Sequence, residues 1–249
     1  MASSGTAAGA LLEACMAVKP PGPGVCRTCC GALAGASATL CQSCRAITAV
    51  LGPLYPVTPI SLATDGSQIY AALVQYKSDH RQLAATQRLR LAGLVEVFLT
   101  YHLDCVAPHG FDVVTVVPSS RRPAGSNPLA ATLKMTDLLA SRVEALLAPG
   151  PGKVERNLAE ADAYVADAAR VGGRRVLLFD DTYTTGAHLH ASVAALMASG
   201  AERVYPVVLG RRQNDSWLPS HGVLAWSAQP ANRWSPRRCV HCWSQTRQL

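Results

Sequence analysis

Apolar and polar positions along the middle of this chain follow two periods, and each change of period marks a new element. VTPISLA, from Val57, is β-rich and predicts a strand. DGSQIYAALVQYK then spaces Ile69, Leu73 and Tyr76 at helical intervals. RQLAATQRLRLAGLVEVFLTYHL carries the same spacing through a longer amphipathic helix, and FDVVTVVP is a continuous apolar strand closed by a proline. NPLAATLKMTDLLASRVEALL predicts another helix, halted by PGPG. RRVLLFDD is a second continuous strand, apolar from Val176 to Phe179. AHLHASVAALMASG predicts a helix ended by Gly200, and RVYPVVLG a third strand. Continuous apolar strands separated by helices predict an α/β fold, with a mainly parallel sheet and helices on both faces.

The flanking segments differ in character. Residues 1–24 are small and Ala-rich and end in KPPGPG, which breaks any helix begun at LLEACMAV. Residues 25–50 hold a cysteine cluster, residues 51–212 carry the alternating pattern, and residues 213–249 form a Trp-, Arg-, Ser- and Pro-rich extension. A chain of 249 residues has room for one ordinary α/β domain and a small satellite. No apolar run approaches the ~18 residues of a spanning helix. The N-terminus lacks a basic stretch and places Glu13 inside its apolar part, so a signal peptide is not expected and the location is read as cytoplasmic. Net charge is +7, with seven arginines from Arg203 onward against Asp215 alone. That balance suits nucleic acid, a phosphorylated small molecule or an acidic partner alike.

Candidate chemistry concentrates in LLFDDTYTTGAH, from Leu177 to His188. Ligands of parallel sheets bind beyond the carboxyl ends of the strands, where Asp180 and Asp181 are expected. Thr182, Tyr183, Thr184, Thr185 and Gly186 then lead to a helix beginning near Ala187. Small residues and a glycine before a helix let backbone N–H groups converge on an anion, and the threonines add hydroxyl donors. The carboxylates remain free for sugar hydroxyls or hydrated Mg²⁺. A nucleotide-hydrolase strand of similar look needs a GxxxxGK[ST] loop, and GPGKV lacks both the spacing and the hydroxyl. An anion site beside paired carboxylates describes a sugar phosphate.

RRVLLFDDTYTTGAHLHA resembles the phosphoribosyl-pyrophosphate (PRPP) signature of the type I phosphoribosyltransferases, and the wider chain, over about residues 11–212, resembles their ComF-like branch. The resemblance implies the type I phosphoribosyltransferase fold with a small zinc-ribbon-like segment. It implies that the acidic pair contacts ribose and that the loop from Thr182 to Ala187 grips the 5′-phosphate. VVPSSRRP matches the family's basic turn, making Ser119, Ser120 and Arg121 the pyrophosphate loop. The Gly-Phe-Asn-Gln element that follows in the family reads Gly125-Ser126-Asn127-Pro128 here, without Phe or Gln. KVERNLAEA matches the mobile loop, giving Lys153 and Arg156 as cationic partners of the leaving group, and LVQYKSDH resembles a Tyr-Lys element. The implied activity is transfer of phosphoribose from PRPP, with Mg²⁺, to an unassigned acceptor. ComF-like proteins are also associated with competence and DNA uptake. Partners from that side are single-stranded DNA, compatible with Trp217, Trp226, Trp234 and Trp243 in an arginine-rich tail, or DNA-uptake proteins. A PRPP-sensing regulator is a further reading, and the oligomeric state, a homodimer included, is open.

Nine cysteines in a reducing compartment call for an explanation other than disulfides. Cys26 and Cys29 form one CxxC and Cys41 and Cys44 another, the pattern of a closed, structural Zn²⁺ site. Cys30, adjoining Cys29, leaves the register ambiguous. Cys239 and Cys242 make a lone CxxC, either half of a second site, completed by His241, another histidine or a neighbouring chain, or a free pair. Cys15 and Cys105 read as small core residues. His188 and His190 read as surface or packing residues of the helix.

Overall fold

The computed structural model describes residues 3–34, 37–119, 126–214 and 233–243. Its strands are β1 (Thr58–Thr64), β2 (Val113–Val116), β3 (Leu147–Pro149), β4 (Tyr164–Ala166), β5 (Arg175–Tyr183) and β6 (Arg203–Gln213). Four of them form one sheet in the order β1-β6-β5-β2, each neighbouring pair parallel. β3 and β4 form a separate antiparallel ribbon. The helices are α1 (Ser3–Ala14), α2 (Gln42–Leu51), α3 (Gln68–Gln75), α4 (Arg81–Val106), α5 (Pro128–Leu133), α6 (Ala168–Val171) and α7 (Ala187–Ala198).

Continuous apolar strands are explained by burial on both faces. On one face Leu177 and Phe179 of β5 pack with residues of α3, α4 and α5. On the other, Val176 and Leu178 meet α7, α2 and the cysteine segment. The fold is thus α/β, with a four-stranded parallel sheet flanked by helices, as the pattern predicts. β1, α3, α4, β2 and α7 fall where the periodicity places them. α3 is capped by Ser67, whose side chain accepts from the Tyr70 N–H. No described helix is long and apolar enough to cross a membrane.

The structure departs from the pattern in three places. The helix expected over NPLAATLKMTDLLASRVEALL stops at Leu133. Thr136 turns its hydroxyl onto the Leu133 carbonyl, and the chain then reaches back along β2, with Val143 beside Val114 and Glu144 N–H donating to the Val114 carbonyl at 2.8 Å. Sheet pairing there overrides helix propensity. β5 is also longer than its apolar run and carries strand pairing through Tyr183 opposite Arg211. Asp180, Asp181, Thr182 and Tyr183 are therefore strand residues, and the loop proper begins at Thr184. Finally, the Ala-rich N-terminal segment forms α1, whose Leu11, with Cys15 just beyond, is buried in the larger core.

Candidate functional site

Successive side chains of a strand point to opposite faces, so the two carboxylates at the end of β5 diverge. Asp181 shares the face of Leu177 and Phe179. There Tyr76 Oη donates to its Oδ2, and Lys77 Nζ lies 2.5 Å from the same oxygen. LVQYK thus supplies the counter-charge of one acid. Asp180, on the other face, accepts the Asp181 backbone N–H at 2.9 Å through Oδ1, and no ion pair engages it among the described residues. Part of its surface is open, yet protein encloses it on most sides. That enclosure, and then repulsion from Asp181, pushes its carboxyl up to about 7.

The anion-binding features adjoin this acid. Gly186 has φ 89°, and a Cβ there would fall 2.2 Å from the Tyr183 ring. Left-handed backbone and close approach each require glycine. In α3, α4, α5 and α6 a side chain caps the N-terminus, whereas α2 at Cys41 and α7 at Gly186 open without one. The first N–H groups of α7, from Ala187, are left for another acceptor. Thr184 is exposed and Thr185 half-buried above them. On the neighbouring strand, Val117 N–H donates to the Phe179 carbonyl at 2.9 Å, holding the end of β2 beside the end of the apolar run of β5. Ser120 and Arg121 lie outside the described residues.

Lys153 and Arg156 are placed apart from the acids. They are exposed on a hairpin that extends the β3–β4 ribbon, closed by a bridge between Val154 and Ala159 and by Lys153 N–H donating to Glu160 Oε2 at 2.9 Å. Neither contacts Asp180 or Asp181 among the described residues. Asn157, at the tip, accepts from Ser43 Oγ of α2 at 3.2 Å, which ties the arm to the cysteine segment.

Cys26, Cys29, Cys41 and Cys44 bring their sulfur atoms within 4.8 Å of one another, a cluster able to hold a zinc ion. Cys30 turns away into a cluster with Val18, Val25 and Leu62, which resolves the register in favour of Cys29. Two residues connect this cluster to the loop, and the pattern gave no sign of either role. Tyr183 Oη lies between Cys44 Sγ, at 3.4 Å, and His190 Nε2, at 3.1 Å. Arg211 crosses the Tyr183 ring, donates from Nε to the Cys29 carbonyl at 3.0 Å, and reaches the Tyr183 carbonyl from Nη1 at 3.2 Å. Hydrogen bonds from Cys26 and then Cys41 and Cys44 hold the Cys29 thiol well below its usual range, and Arg211 adds to that effect. Gly31 makes room, since a Cβ there would meet Arg211 Nη2 at 2.2 Å. His188 is an exposed partner of Tyr164 Oη at 2.7 Å.

The C-terminal residues correct two expectations. Cys105 packs only at the edge of the larger core: it is half-buried and lies with His102 beside Cys239 and Cys242. Trp234 is only 8% exposed, and its Nε1 donates to the Ile60 carbonyl at 2.8 Å, so this ring is not displayed for base stacking. Trp217 and Trp226 lie outside the described residues.

No protein-family model matches the chain, and no curated protein does. Among solved structures it is similar to one described as the structure of the allosteric regulatory enzyme of purine biosynthesis. Identity is 17%, the TM-score is 0.32, and the match covers 63% of this chain and 41% of that one.

Proposed function

We propose that this protein binds PRPP at the end of β5 and transfers its phosphoribosyl group, releasing pyrophosphate. The observation that carries the reading is the conjunction at β5–α7: an acid with no ion-pair partner among the described residues, beside a glycine-forced loop and a helix N-terminus without a side-chain cap. A 5′-phosphate fits the N–H groups from Ala187 onward, with Thr184 and Thr185 as hydroxyl donors. Asp180 then accepts hydrogen bonds from ribose. Asp181, held by Tyr76 and Lys77, acts as a positioning residue.

Breaking the C1′–O bond develops positive charge on the sugar and negative charge on the pyrophosphate. The resemblance assigns Ser119, Ser120 and Arg121, next after β2 in the chain, to the pyrophosphate leaving group. Lys153 and Arg156 sit on an arm whose closure brings cations over the site and excludes water. Bound together with PRPP, Mg²⁺ would supply further charge neutralisation of the leaving group. The acceptor is left unassigned by these residues.

Calorimetric titration with PRPP and Mg²⁺ tests the reading. Wild type binds, and Asp180→Asn binds about tenfold or more weakly. An absence of binding to wild type overturns the proposal. Pyrophosphate release across a panel of nucleobases and amines identifies the acceptor, and binding without release identifies a PRPP-binding protein that does not turn over.

A further inference from the structure

α4 crosses the larger core, yet its C-terminal turn carries a histidine where an apolar residue would be expected. His102 is 2% exposed. A buried imidazole costs free energy unless a partner engages it. Its Nδ1 faces Cys242 Sγ at 3.6 Å, and Cys242 Sγ lies 3.4 Å from Cys239 Sγ. Cys105, one helical turn beyond His102, presents its thiol on the same side of α4. The four ligand atoms lie within 4.8 Å of one another.

We propose that His102, Cys105, Cys239 and Cys242 form a second, structural zinc site that clamps the C-terminal strap, residues 233–243, onto α4 and the outer edge of β1. Tetrahedral zinc with Zn–S bonds of about 2.3 Å places ligand atoms roughly 3.5–4 Å apart, close to the separations found here. Three thiolates and an imidazole select zinc over the harder divalent ions. Four protein ligands leave no position for water, so the role is structural. His241, although it stands inside the CxxC, is no ligand: its Nε2 pairs with Thr58 Oγ1 at 2.7 Å.

The geometry of the strap explains what the metal does. Ligands from α4 and from the strap are separated by more than a hundred residues of chain, so the metal closes a very long loop. Within the strap, Trp234 and Cys239 reach the larger core, Trp234 Nε1 donates to the Ile60 carbonyl, and Val240 packs with Val18 and Leu62. A metal would add a cross-link to these contacts and fix the segment more firmly on α4.

Native mass spectrometry and elemental analysis of the full chain test the proposal. Wild type is expected to carry two zinc ions, Cys239→Ser/Cys242→Ser one, and Cys26→Ser/Cys41→Ser the other one. His102→Cys keeps two, whereas His102→Ala loses one. Hydrogen exchange is expected to speed up in residues 233–243 when the second ion is lost. A wild type with one zinc, iron in place of zinc, or a second zinc that survives Cys239→Ser/Cys242→Ser overturns the proposal. Should the variants fail to fold, maleimide labelling of intact wild type decides. Cys105 and Cys242 are expected to resist labelling until a chelator is added, and labelling without chelator overturns the assignment.

Discussion

Asp180 and Asp181 are adjacent in the chain but belong to different environments, and their chemistry diverges accordingly. Asp181 has two partners, while Asp180 has a carboxyl pushed up to about 7 by enclosure and by its neighbour. A raised carboxyl binds protons in the fold that the unfolded chain has already released. Folding stability therefore falls as pH rises from about 4 toward about 7, and the loss is complete above that. Asp180→Asn is expected to raise stability at pH about 8 by about 1–2 kcal/mol, measured by urea denaturation, while weakening PRPP. Affinity of the wild type should rise with pH through the same window, since ribose hydroxyls are accepted by the ionised form. A pH-independent calorimetric affinity would refute this assignment. Tyr76→Phe removes the hydroxyl donor to Asp181 and is expected to weaken PRPP binding several-fold with a smaller effect on folding.

At the scale of elements, β5, its loop and α7 form one strand–turn–helix unit in which Gly186 is the pivot. Gly186→Ala combines a left-handed backbone with a clash against the Tyr183 ring, and about 1–3 kcal/mol of stability should be lost in urea titration. The sheet and most helices were legible because burial on two faces leaves continuous apolar runs in sequence. The end of β5 was not, because polar residues extend a strand whenever a neighbour supplies the ladder, as β6 does through Arg211. The helix expected after Asn127 failed for a related reason: pairing of Val143 beside β2 is a long-range contact that local spacing does not encode. Arg211 and His102 were missed, and Tyr183, expected in the phosphate loop, turns its hydroxyl to Cys44 and His190 instead. Each acts through a partner far away in the chain, and a lone Arg, Tyr or His carries no periodic signal.

Across the whole molecule, the cysteine segment is continuous with the loop of β5 and with the arm. Arg211 spans Cys29, Tyr183 and Thr184, and Ser43 touches Asn157. Removing metal from the four-cysteine cluster should therefore weaken PRPP binding as well as folding. A chelator that strips zinc under conditions where the sheet stays folded by circular dichroism is expected to lower affinity about tenfold. Unchanged affinity would show that the two sites are independent. Arg211→Met leaves clustered sulfur without its nearby cation and is expected to cost about 3 kcal/mol or more in chemical denaturation.

The strap has a last consequence, for how copies of this protein can meet. An open sheet offers two rows of unpaired backbone groups through which strands of another chain can join. On one side, Met16 bridges both Leu62 of β1 and Arg233 of the strap, and on the other Val143 lies beside Val114 of β2. At these positions each flank of the sheet is met by the chain's own backbone. At Leu62 and Val114, a strand from another copy would have to displace the chain's own backbone before it could pair.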